Sequence, residues 1–128
     1  MFSIESFVFF YYNYPMETRK LRMGGDPTGI NVNIADKFMD KSIGWMFRKV
    51  RDDMGLLITH CNSIHTFFVR APIDTVFLDA KYSVIKVISN LKPWRVVMPV
   101  TNAKMVLELP PNSALSFGLK TGDVLEIK

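Results

Sequence analysis

From residue 54 onward the chain is cut into short apolar runs, each closed by turn-forming residues, and this punctuation constrains the fold more than any other feature. The runs cover residues 55–59, 64–70, 73–78, 84–88, 105–109 and 124–127. Between them stand His60-Cys61-Asn62-Ser63, Ala71-Pro72, Asp79-Ala80-Lys81-Tyr82, Leu91-Lys92-Pro93-Trp94, Pro110-Pro111 and Lys120-Thr121-Gly122-Asp123. Such runs are too short for helices, which need roughly 10–12 residues, and their β-branched and aromatic content reads as strand. Earlier, Ile30, Val32 and Ile34 alternate with Asn31 and Asn33, the period of a half-buried strand. In run 64–70 the same alternation predicts His65, Phe67 and Val69 on one face and Thr66, Phe68 and Arg70 on the other.

Two segments depart from this pattern. Asp36 is a fitting N-cap, and Met39, Ile43, Met46 and Phe47 form an apolar helical stripe that ends near Arg48. Asn112 or Ser113 opens a one-turn helix that Gly118 closes. The expected fold is mainly β. It is a compact β-sandwich or barrel-like domain of six or seven short strands, with one amphipathic helix near the N-terminus and a short helical turn near the C-terminus.

The 128 residues suffice for a single domain, and 48% hydrophobic with 22% charged residues excludes disordered, collagen-like and coiled-coil classes. Gly24-Gly25-Asp26-Pro27 reads as a linker, which divides the chain into an N-terminal segment 1–29 and a β-rich domain 30–128. The aromatic stretch 7–12 is too short to span a bilayer, which takes about 20 residues. It also lacks the basic start and small-residue cleavage site of a secretory signal. It reads as an extra strand or as a leader before a true start at Met16 or Met23, and a cytoplasmic location is favoured. As an interaction element it would serve as a membrane-surface tether or a partner-recruiting strand.

The net charge of +4 comes from scattered basic residues with no nucleic-acid motif, so no specific nucleic-acid partner is expected. A lone cysteine, Cys61, forbids an intramolecular disulfide.

Read in order, the motifs are similar to those of the domain of unknown function 192 family. They are Ile43-Gly44-Trp45-Met46-Phe47-Arg48, Gly55-Leu56-Leu57-Ile58 and Cys61-Asn62-Ser63-Ile64-His65-Thr66-Phe67-Phe68. Ile73-Asp74-Thr75-Val76-Phe77-Leu78-Asp79, Lys92-Pro93-Trp94-Arg95, Leu107-Glu108-Leu109-Pro110 and Gly118-Leu119-Lys120-Thr121-Gly122-Asp123 complete the series. The resemblance spans roughly residues 30–128. Lys41 stands where that family usually has arginine, Pro111-Asn112 replaces an Ala-Gly, and Val69 and Ala71 stand in a stretch that is more often Met-Arg-Phe. The resemblance implies a compact β domain and no assigned activity.

Chemistry has few candidates. Cys61, His65 and Asp74 are the residue types of a Cys/His hydrolase or a metal-dependent enzyme. In an unbroken strand Cys61 and His65 would lie roughly 13 Å apart, so a dyad needs a turn at Asn62-Ser63. Zinc could be assembled from Cys61, His65 and either His60 or Asp74, but the spacing does not demand it, and no metal or cofactor is expected. Asp74, set in an apolar run, needs a partner if buried, and Arg48 and Arg70 offer the charge. Glu108 is expected to face solvent or to pair with a neighbouring strand. The favoured reading is a non-enzymatic accessory domain. It binds a small polar or anionic ligand, or a protein partner, through Arg48, His65, Asp74 and Trp94, with the enzyme as the alternative.

Overall fold

The computed structural model describes residues 17–36 and 51–128. Among these residues nine strands and one short helix follow one another: β1 (Thr18–Met23), β2 (Asp26–Ala35), β3 (Met54–Thr59), β4 (Ile64–His65), β5 (Ile73–Leu78), β6 (Val84–Leu91), β7 (Val96–Val97), β8 (Met105–Leu109), α1 (Ser113–Phe117) and β9 (Leu125–Ile127). Seven strands form one sheet in the order β6-β5-β8-β3-β2-β1-β9, and β4 pairs with β7 as a separate ribbon. The fold is mainly β, as the punctuated sequence requires.

All sheet pairs are antiparallel except β2 with β3. A parallel pair needs a crossover of a dozen or more residues, and 36–53 supply it. The amphipathic helix expected up to Arg48 falls on residues 37–50, which lie outside the described ones, as does the aromatic stretch 7–12.

The sheet curls into a half-barrel whose two edges meet at one end. Ser83, just before β6, bridges Val124, and the Val84 and Leu125 amides donate to the Asp123 and Tyr82 carbonyls at 2.8 and 3.0 Å. Side chains of alternate strand positions fill the concave side, among them Leu21, Val32, Leu57, Val76, Leu107 and Ile127. The opposite side carries a second cluster, in which Leu56, Ile58, Phe77 and Val106 of the sheet meet Ile64 and Val69 from the ribbon segment. The ribbon is therefore laid over the outer face of the half-barrel.

Two expectations change in detail. Gly24 and Gly25, both at positive φ, form a two-residue hairpin turn between β1 and β2, so residues 18–29 belong to the sheet. Glycine pairs are the usual residues of such turns, which explains how hairpin chemistry reads as a linker in sequence. The run 64–70 is a strand only at Ile64–His65. Beyond it Thr66 and Val69 are buried, while Phe67 and Phe68 are both exposed, with Phe68 at φ 62°.

Candidate functional site

Asp74 opens the polar account. It sits on β5, fully buried, with both carboxylate oxygens engaged: Oδ1 accepts the Asn90 amide at 2.9 Å and Oδ2 accepts the Ala114 amide at 2.8 Å. The second bond caps α1, whose N-cap Asn112 makes no side-chain cap bond of its own. Asp74 thus ties the end of β6 and the start of α1 to the centre of the sheet. The partners expected for it were guanidinium groups, whereas the described partners are backbone amides.

Cys61 and His60 follow β3 in a loop beside Lys104, and with Asn62 and Ala103 they line a shallow cleft of ≈ 280 Å³. The Cys61 thiol donates to the Ser63 carbonyl at 2.9 Å. His65 is exposed, its Nδ1 accepting the Phe67 amide at 3.2 Å and its ring stacked on Phe67 with centroids 4.9 Å apart. Cys61, His65 and Asp74 therefore occupy three different environments: a loop cleft, an exposed ring stack and the sealed sheet. Among the described residues no group of three His, Cys, Asp or Glu side chains is placed to hold a metal ion.

His65 and Trp94 are brought together. Phe67 bridges them, its ring 4.9 Å from His65 and 5.8 Å from Trp94, while Phe68 meets Trp94 edge-on at 4.7 Å. Four aromatic rings thus form one exposed ridge on the ribbon, with Trp94 56% exposed. Val96, paired across from His65, and Met98, two residues further along the chain, are also exposed. Arg48, the fourth residue expected at a binding face, lies outside the described residues.

The ridge is held from below by a single buried residue. The Thr66 hydroxyl donates to the Lys92 carbonyl at 2.6 Å and accepts the Arg95 amide at 2.9 Å. Its own amide donates to the Arg95 carbonyl, and its carbonyl receives the Trp94 and Val69 amides at 3.0 and 3.3 Å. Buried polar groups need such partners, and here they lock the 66–69 and 92–95 loops together. Phe68 and Trp94 both have φ near 60°, a conformation costly for residues with a Cβ. Thr66, Phe67 and Phe68 escape the alternation pattern because the strand ends at His65. The one signal that marks them is the Thr-Phe-Phe run itself, in which two large aromatics cannot both point inward.

Glu108 is the remaining polar surprise. It lies on β8 across from Leu56 and Thr75, buried, with Oε2 lacking a hydrogen-bond partner. Burial pushes its carboxyl up to about 8. The expectation of a solvent-facing Glu108 is thus corrected. β8 is the third strand of seven and is covered on both faces, so alternation does not bring its polar residue to water.

Fold and surface define the class: a small half-barrel β domain with a two-stranded ribbon on its outer face. The particular family follows from the residues, since 19–127 match the DUF192 family, described as "Uncharacterized ACR, COG1430", and the chain belongs to it. A UPF0127 protein of Pyrococcus horikoshii is 36% identical over 99 residues, 74% of this chain and 85% of that protein. A second, from Pyrococcus furiosus, is 35% identical over 106 residues, 80% of this chain and 90% of that one. Two crystal structures share the fold. One, from Sinorhizobium meliloti 1021, carries a description that proposes a transcription regulator; it has a TM-score of 0.75 at 21% identity and covers 88% of this chain and 95% of its own. The other, a protein of unknown function from Novosphingobium aromaticivorans, has a TM-score of 0.73 at 19% identity and covers 87% of this chain and 84% of its own. At these identities the likeness speaks for the fold alone.

Proposed function

We propose that this chain is a non-enzymatic binding domain whose contact surface is the ridge of His65, Phe67, Phe68 and Trp94. One observation carries the reading: among the described residues, five of the seven exposed large hydrophobic side chains (Phe67, Phe68, Trp94, Val96 and Met98) belong to the ribbon and its loops. Scattered apolar residues on a surface are ordinary, but a contiguous group marks an interaction site. Aromatic side chains on a scaffold that fixes their backbone also lose little entropy on binding. Two of these rings sit at strained backbone positions, as contact residues held by a rigid frame often do. The enzyme reading has less support. Asp74 is fully buried with a backbone amide on each oxygen, and His65 is exposed and already spends Nδ1 on its own loop.

A photo-crosslinking residue placed at position 94 in cells tests the proposal, with position 115 as control. Leu115 is 82% exposed but sits on α1, outside the ribbon and its loops. Adducts of protein or lipid, identified by mass spectrometry, are expected at 94 and not at 115. Absence of any adduct at 94, or equal yields at both positions, overturns it.

A further inference from the structure

The ridge has a chemical surround that narrows its occupant. The stretches 54–73 and 80–107, which hold the ribbon and its loops together with β3, β6 and the start of β8, contain no aspartate or glutamate. They carry exposed Arg70, Lys92, Arg95 and Lys104 instead. The ion pairs of the described residues all lie elsewhere, between Arg19 and Glu17, Arg51 and Asp53, Lys120 and Asp123, and Lys128 and Glu126. Arg70, Lys92 and Arg95 sit on the loops gathered on Thr66, each within two residues of Phe68 or Trp94 along the chain. The surface is therefore an apolar ridge flanked by cations with no described carboxylate partner.

Three occupants compete on this chemistry. A second copy of the chain would set cations against cations and is disfavoured by charge. Single-stranded nucleic acid would need free ring faces. Here His65 and Phe67 each turn one ring face to the other, Phe68 meets Trp94 edge-on, and Val96 and Met98 have no ring for a base to stack on. A bilayer interface makes no demand for free faces. It takes aromatic and aliphatic side chains into the headgroup and acyl boundary, with Arg and Lys at the phosphates. The Thr66 bonds also leave fewer loop amides and carbonyls unpaired, which entry into an apolar phase requires.

We infer that the His65–Phe67–Trp94–Phe68 ridge docks on an anionic lipid surface, inserting its apolar side chains while Arg70, Lys92 and Arg95 engage lipid phosphates. This rests on the reading of the ridge as the contact surface and names its partner.

The test uses the full chain carrying Trp45→Phe, so that Trp94 is the one tryptophan, with vesicles of phosphatidylglycerol and phosphatidylcholine at 3:7. Expected are co-sedimentation with these vesicles and a blue shift of Trp94 emission. Vesicles of phosphatidylcholine alone should bind far more weakly. Each basic residue near an anionic surface contributes a factor of about five, so the triple variant Arg70→Gln, Lys92→Gln, Arg95→Gln should bind about a hundredfold more weakly at low salt. The variant Trp94→Ala, shown folded by circular dichroism, should lose binding, whereas Leu115→Ala should retain it. No binding to the anionic vesicles, or binding indifferent to Trp94→Ala, overturns the inference. Binding of an oligothymidine in place of the vesicles overturns it as well. If vesicles fail while position 94 still forms protein adducts in cells, the lipid partner is wrong and the contact ridge stands.

Discussion

Glu108 and Asp74 are two buried carboxylates on neighbouring strands, and their surroundings treat them oppositely. Asp74 has a backbone amide on each oxygen, while Glu108 has an oxygen with no partner, and its carboxyl is pushed up to about 8 by desolvation. At neutral pH the folded protein therefore holds a proton on Glu108 that the unfolded chain has released. Because the folded value is raised above the ordinary 4.5, the native state binds more protons between about 4.5 and 8, and stability falls with rising pH across that window. Glu108→Gln removes the titration. It should raise stability at pH 7 by on the order of 3 kcal/mol while changing little at pH 4, read as urea midpoints at the two values. Equal pH slopes for the two proteins would refute this account. Asp74 was legible from sequence as a residue in need of a partner, because a carboxylate in an apolar run has few options. The identity of that partner was not, since the Asn90 and Ala114 amides are distant in sequence and are presented by local backbone geometry.

At the level of elements, runs that pair within the sheet are legible in the sequence. Residues 73–78 and 105–109 are β5 and β8 to the residue, and the short helix ends at Gly118 as its left-handed φ of 64° demands. These boundaries are set by local chemistry: prolines before β5 and after β8, and a glycine after α1. The ribbon was not legible in this way. A seven-residue apolar run reads as one strand, but the Thr66 hydroxyl, bonded to residues 26 and 29 positions away, stops it after two. The hydroxyl, more than the methyl, is then the part of Thr66 that matters. Thr66→Val strands the Lys92 carbonyl and Arg95 amide and should cost about 1–3 kcal/mol, while Thr66→Ser, which keeps the oxygen, should cost about 1 kcal/mol. Near-UV circular dichroism in the Trp45→Phe chain, where Trp94 is the one tryptophan, reports whether the ridge loosens with it. The hub has no such role if Val and Ser variants behave alike.

For the molecule as a whole, the unusual element is the last strand. β9 is the outer neighbour of β1, and its approach to Ser83 and Val84 brings the two sheet edges together. It contributes Leu125 and Ile127 to the concave core. Deleting residues 124–128 removes two buried side chains, roughly 3–6 kcal/mol together, which is a large share of the 5–15 kcal/mol typical of a domain. It also bares the β1 edge, so the shortened chain should melt far lower and self-associate in sedimentation velocity runs. A monomer with unchanged melting temperature would show that the sheet does not depend on this closure. The curl itself was only half visible in sequence. Six strand-like runs predict a sandwich or a barrel equally well, and the choice rests on β1 and β9 meeting, a contact between residues that no local pattern relates.

That same pairing has a consequence in time. Leu21 faces Ile127 in the β1–β9 pairing, so the first described strand finds its outer partner only after about a hundred further residues have been made. At translation speeds of about 5–20 residues per second, β1 waits for on the order of 5–20 s with one edge unpaired. Newly made copies therefore spend those seconds as an open template, the interval in which neighbouring nascent chains on one message are most able to cross-pair.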